Sequence, residues 1–140
     1  MHSCLAHIDF NVRSAHVGFY KELFAFFGWR TLVDGDGIVS VGGSDGVTLC
    51  FLSDNLKDVS NDYDGPGMNH LAIGVGSPAD VDQTAAYLRG RGIEPLFTTP
   101  RHRPEFAAGD GDTYYQVMFA SPDNILFEVV YIGPKDAAHP

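Results

Sequence analysis

Apolar residues fall at every second position in two short stretches of this chain: Ile8, Phe10 and Val12, then Leu71, Ile73 and Val75. A period of two marks a strand with one buried face. The two stretches are copies of one another. His7-Ile8-Asp9-Phe10-Asn11-Val12-Arg13-Ser14 aligns without gaps on His70-Leu71-Ala72-Ile73-Gly74-Val75-Gly76-Ser77, offset by 63 positions (70 − 7). The histidines that head them occupy equivalent places, on the face opposite the apolar residues.

Each strand runs into a predicted helix. Ser14 and Ser77 stand as N-caps, and the second adds Pro78 at the first helical position and Asp80 three residues after the serine. Val17, Tyr20, Phe24 and Phe27 form a helical stripe that Val81, Ala85 and Leu88 repeat more weakly, with Gly28 and Gly92 placed to terminate. The spacing predicts helices over 15–27 and 79–90. Three strand-like runs follow each helix, 29–34, 38–42 and 47–53 in the first half, then 93–98, 113–120 and 125–132 in the second. The turns Gly35-Asp36-Gly37, Ser44-Asp45-Gly46 and Pro122-Asp123-Asn124 punctuate them. Residues 99–112, rich in Pro, Gly and charge, read as an irregular loop, 54–68 as a polar linker and 133–140 as a frayed tail. The expectation is an α+β chain, one domain over 1–140 built of two βαβββ modules at 4–53 and 69–132. Their sheets would pair into a half-open, eight-stranded, barrel-like sheet with the helices outside.

Composition supports a packed core: 44% of the 140 residues are hydrophobic, 12% aromatic and 19% charged. Nine Lys and Arg against 18 Asp and Glu leave a net charge of −9, which argues against nucleic acid and anionic membrane as partners. Cys4 and Cys50 form no CxxC pair and are too few for a disulfide scaffold, which suits a reducing compartment. No stretch reaches the roughly 18 apolar residues of a membrane span, so a soluble, cytoplasmic protein is expected.

The His-headed strand of each module, joined to Pro122-Asp123-Asn124-Ile125-Leu126-Phe127-Glu128, resembles the vicinal oxygen chelate superfamily over residues 4–132. That superfamily includes glyoxalase I, extradiol dioxygenases, fosfomycin-resistance enzymes and bleomycin-binding proteins. The resemblance implies that His7, His70 and Glu128 hold a divalent metal, with Fe, Mn, Ni, Co and Zn all compatible with such ligands. Read as residues alone, both histidines are equally at home as polar side chains lining a groove. Glu128 is more telling, because an ionised carboxylate among Phe127, Val129 and Val130 needs a compensating partner. Aligning the Asp45-Gly46 turn on Asp123-Asn124, an offset of 78 (123 − 45), makes Cys50 the symmetry partner of Glu128. Glyoxalase I has a second acidic ligand in this part of its first module, whereas this chain has no Asp, Glu or His between Val47 and Ser53. Three protein ligands are therefore expected, with Cys50 either a fourth or a small buried hydrophobe.

Two further side chains are candidates for catalysis beside Glu128. Tyr115 stands near the tyrosine of the extradiol pattern, but displaced toward the 99–112 loop, and either points into the groove or packs across strands. His102 lies in that loop with Arg101, Arg103 and Glu105, which either closes over an anionic substrate, with His102 as acid or base, or is solvated surface. His16 and His139 look exposed. The resemblance implies a metal-dependent enzyme acting on a small chelating substrate, with lyase or isomerase chemistry favoured. An Fe(II) extradiol-type dioxygenase is the alternative enzyme, and a metal-free drug-binding protein of the bleomycin-resistance kind the non-enzymatic one. A homodimer is expected, since an open sheet leaves strand edges and apolar surface to cover.

Overall fold

The computed structural model describes residues 2–54 and 56–136. His139 and the last four residues of the expected tail lie outside the described residues. Among the described residues eight strands hydrogen-bond as two four-stranded sheets, one in each of two compact units, 1–59 and 60–140.

In the first unit, β1 (His7–Asn11) leads through a 3-10 turn at Ser14–His16 into α1 (Val17–Phe26), then β2 (Arg30–Gly35), β3 (Ile38–Gly42) and β4 (Thr48–Leu52). The sheet order is β1-β4-β3-β2, parallel between β1 and β4 and antiparallel elsewhere. The alternation read from the sequence is what the fold uses. Phe10, Leu49, Phe51, Val39 and Val41 are buried, and α1 covers them with Tyr20, Leu23 and Phe24. Phe51 stacks on Phe10 at 5.4 Å and on Tyr20 at 4.3 Å between ring centroids. Thr48, Cys50 and Leu52 alternate with that core and are half-buried on the other face.

The second unit repeats the plan. β5 (Leu71–Gly74), α2 (Pro78–Arg89), β6 (Leu96–His102), β7 (Asp112–Ala120) and β8 (Leu126–Pro134) give the order β5-β8-β7-β6, with β5 and β8 parallel. Val81, Ala85 and Leu88 of α2 are fully buried, and Val117, Phe119, Phe127 and Val129 are buried on the sheet that α2 packs against. Both helices close with the same device. Trp29 N–H reaches Phe24 O at 2.9 Å and Ile93 N–H reaches Leu88 O at 3.0 Å, around Gly28 (φ 78°) and Gly92 (φ 73°), a conformation that glycine enters without steric cost.

The two helix starts differ. Ser77 caps α2, its Oγ accepting from Asp80 N–H at 3.3 Å and donating to the Asp80 carboxylate at 2.8 Å. Ser14 is no cap. It lies inside the 3-10 turn, whose flanking residue Arg13 makes no side-chain cap bond, and α1 begins three residues later.

Three boundaries also depart from expectation. β6 continues to His102, so Arg101 and His102 stand on a strand and not in a loop; a 3-10 turn at Pro104–Phe106 follows. β8 extends to Pro134, into the expected tail. The second half of the stretch read as a linker belongs to the second unit, where Asn61 and Asn124 exchange two side-chain-to-backbone bonds of 2.8 Å.

Candidate functional site

The second unit carries a cavity of about 530 Å³ on the face of its sheet opposite α2. Cross-strand pairing builds it. Glu128 pairs with Ala72 on one side and Met118 on the other, and residues two apart on β7 share its face, so Tyr114, Gln116 and Met118 line the cavity with Glu128 and Leu126. His70, immediately before β5, lies at one wall.

Glu128 is 2% exposed, and both of its oxygens are engaged. The Tyr114 hydroxyl donates to Oε1 at 2.7 Å, and His70 Nε2 stands 3.0 Å from Oε2. His70 Nδ1 is in turn 2.7 Å from Asn69 Oδ1, whose NH2 group donates to Tyr63 O at 2.8 Å. That last bond fixes the amide, so its oxygen must accept and Nδ1 must carry the proton. Nε2 is left to face the carboxylate, as a donor if the ring is charged or as a lone pair directed at a shared cation. Burial first, and then the bond to Glu128, pushes the Tyr114 hydroxyl up to about 12. Tyr114 is therefore a donor at neutral pH and not a base.

The sequence-expected residues fall in three places. His70 and Glu128 are brought together. His102 and Tyr115 are together elsewhere in the same unit, paired across β6 and β7 with ring centroids 4.4 Å apart. They face away from Glu128: the Tyr115 hydroxyl donates to Asp82 of α2 at 2.8 Å, and His102 Nδ1 is 2.6 Å from Thr113 Oγ1. The alternation Thr113, Tyr115, Val117, Phe119 sends these side chains to the helix side. The β7 tyrosine of the cavity is thus Tyr114, and parity counted from Glu128 through its partner Met118 was the signal that would have found it.

His7 stands in the first unit at the head of β1, its Nε2 4.0 Å from Asp9 Oδ2. Asp9 pairs with Cys50 across β1 and β4, just as Ala72, the repeat equivalent of Asp9, pairs with Glu128. The symmetry relation between Cys50 and Glu128 is therefore real, and Cys50 is no core residue. Its thiol is pushed up, chiefly by burial and then by its bond to Asp9. His16 is half-buried at the start of α1.

Among the described residues no group of three or more His, Cys, Asp or Glu side chains is placed to hold a metal ion. The His70 and Glu128 pair nevertheless has the chemistry of two neighbouring ligands. Each donor is oriented by an outer partner, Asn69 or Tyr114, as metal-binding histidines and carboxylates usually are, and a 3.0 Å separation suits two donors each roughly 2.0–2.2 Å from one cation.

Arg103 closes the cavity's other wall. Its backbone N–H extends the β6 ladder to Tyr114 O at 2.7 Å, its Nε donates to Glu105 Oε1 at 2.6 Å, and its guanidinium lies 4.7 Å from the Phe106 ring centroid. Arg103 holds the exposed Glu105 carboxyl below its ordinary value.

No family model matches the chain. An uncharacterized Bacillus subtilis protein, YqjT, is 41% identical over 64 residues, 46% of this chain and 46% of that protein, so the match spans about half the curated relative's length. Solved structures match much more of it. A candidate glyoxalase from Bacillus halodurans superposes with a TM-score of 0.75 at 24% identity, covering 91% of this chain and 94% of that one. A glyoxylase/bleomycin resistance protein/dioxygenase domain from Frankia sp. EAN1pec gives 0.69 at 21% identity, over 99% and 98% of the two chains. The fosfomycin resistance protein FosX from Listeria monocytogenes gives 0.64 at 21%, over 94% and 92%. At these identities the likeness is one of fold. The α+β fold of two βαβββ modules, expected from the sequence repeat, is the one the chain adopts. No described helix is long and apolar enough to cross a membrane.

Proposed function

From a chain with the vicinal oxygen chelate fold, we propose a metal-dependent enzyme acting on a small chelating substrate, with lyase or isomerase chemistry of the glyoxalase kind. The observation that carries this reading is Glu128. A carboxylate 2% exposed, with each oxygen aimed by its own partner and an imidazole nitrogen at 3.0 Å, is costly to build unless its charge is used. His70 and Glu128 are the ligands in this unit, and His7 is the third by its place in the repeat. A bound divalent cation would act there as a Lewis acid toward substrate oxygens.

The chain's own residues do the rest. Asn69 keeps the proton on His70 Nδ1 and so presents Nε2. Tyr114 holds the Glu128 carboxylate in one orientation and remains protonated through the physiological range. Glu128 is the group that takes a proton from a substrate carbon next to a carbonyl and returns it. Arg103 supplies positive charge at the opposite wall.

Calorimetric titration with Ni, Zn, Co and Mn tests the reading. Removing a ligand by His70→Ala or Glu128→Gln should weaken uptake by at least roughly tenfold, and His7→Ala should do the same. Equal affinity in all four proteins would overturn it. Turnover of a panel of 2-oxo and 2-hydroxy carbonyl compounds, with fosfomycin added because of the Listeria neighbour, then reads the activity. Oxygen uptake during turnover would move the assignment to an extradiol-type dioxygenase.

A metal-free binding protein is the second reading. It is favoured by His70 and Glu128 satisfying one another directly and by aromatic walls at Tyr63, Phe97 and Phe106. Tight binding of a cationic drug with no metal uptake would select it. We further propose a homodimer of the 15.2 kDa chain, to be read by sedimentation at micromolar concentration.

A further inference from the structure

Deepening the proposal that this cavity is the reactive site, we propose that its substrate class is a carboxylate carried on a flat apolar body, the carboxylate held by the Arg103 fork and the body by Phe97 and Phe106.

Arg103 is the permanently charged cation among the described residues lining the cavity. Glu105 ties its Nε at 2.6 Å, and its guanidinium carbon lies over the Phe106 ring, 4.7 Å from the centroid. Among the described residues no side chain is bonded to the two Nη groups, so the guanidinium is held in one orientation with its paired donors free for a ligand. A fixed, planar fork recognises a carboxylate by two parallel bonds. Its short range matters here. The net charge of −9 and Asp64 in the cavity lining repel anions at a distance, so an anion is accepted only where the bidentate geometry outweighs that field.

The apolar body follows from what the wall leaves exposed. Phe97 is 50% exposed and Phe106 55%, both on this cavity. Phe97 is put there at a conformational cost. It and Thr98 stand at φ 57° and 58°, in a region that residues with a Cβ seldom enter. Their bulge is pinned by Thr99, whose Oγ1 donates to Leu96 O at 2.8 Å and accepts from Met118 N–H at 2.9 Å. Backbone strain held by surrounding bonds is characteristic of ligand clamps, and the two rings and Met118 offer a flat aromatic group an apolar seat.

The test uses metal-stripped protein and three probes, phenylacetate, 2-phenylethanol and acetate, titrated by ligand-observed NMR. Phenylacetate should bind at least roughly tenfold tighter than either other probe, and Arg103→Gln should remove that advantage while leaving 2-phenylethanol unchanged. Arg103→Lys, which keeps the charge and loses the fork, should fall between, and it serves if Arg103→Gln fails to fold. Phenylacetate bound no better than 2-phenylethanol, or bound equally by the Arg103 variants, would overturn the proposal. Repeating the titration on Glu128→Gln separates this from the metal reading. A chain that takes up no metal but discriminates through Arg103 refutes only the metal site, and a chain that takes up metal without that discrimination refutes only this substrate class.

Discussion

Replacing Tyr114 with phenylalanine deletes one oxygen and leaves the ring in place. The lost group is the hydroxyl that donates to Glu128 Oε1 at 2.7 Å, and the carboxylate it serves is 2% exposed. A hydrogen bond to a charged acceptor contributes about 1.5–3 kcal/mol, and the remaining contact with His70 keeps the loss from being larger. For a chain of this size that is a drop in Tm of roughly 5–10 °C. Tyr115→Phe is the matched control. It removes an equally short bond, 2.8 Å, but one to an exposed Asp82 carboxylate, for which about 0–1 kcal/mol is expected. The pH dependence gives a second, independent reading. The Tyr114 hydroxyl is pushed up to about 12 from an ordinary 10, so between those values the unfolded chain releases the proton while the folded chain retains it. Stability therefore falls as pH rises through that window, and the gap between the parent protein and Tyr114→Phe, present in full below pH 10, narrows toward pH 12. Thermal melts of the three proteins from pH 8 to 12 check both parts. Equal melting temperatures for the two variants, or a gap that does not change with pH, would refute the view that Tyr114 stabilises a buried, ionised Glu128.

Ser77→Ala should cost about 1 kcal/mol in urea unfolding, as the loss of an N-cap does, whereas Ser14→Ala should be silent; equal effects would mean that both helices are capped alike. Iodoacetamide at pH 8 should label exposed Cys4 well before Cys50, whose thiol is raised by burial and by Asp9; mass spectrometry showing equal rates would contradict that environment. Cys50→Glu sets a second carboxylate beside Asp9, its partner in the ladder. Repulsion raises both carboxyl groups above their unfolded values, so the penalty should be slight near pH 4 and grow toward pH 7; the same loss of Tm at both pH values would show that the two side chains do not meet.

Much of this molecule was legible from one dimension. The offsets of 63 and 78 reappear as the register of the sheets: Asp9 opposite Cys50 in one unit, Ala72 opposite Glu128 in the other. Period-two alternation, the helical stripes and the glycines at 28 and 92 act over a few residues, and nothing distant has to be known to read them. The placement of His70 beside Glu128 was legible for the same reason, because both stand at positions that the repeat defines. Ser14 shows where local reading ends, since it occupies the place of Ser77 and yet sits inside a 3-10 turn with its capping role unused.

Tertiary structure alone decided which side chains on and after β6 share the cavity. Leu96 pairs with Met118 and Arg101 with Gln116, so the four residues 97–100 stand opposite the single residue Val117. Three extra residues are an odd number, and an odd insertion reverses the side of the sheet to which every later side chain points. That reversal sends His102 to the helix side with Tyr115 and brings Arg103 to Tyr114, Phe106 and the cavity. No hydrophobic period records it, because the bulge is held by Thr99 reaching Met118 across the sheet, 19 residues away along the chain.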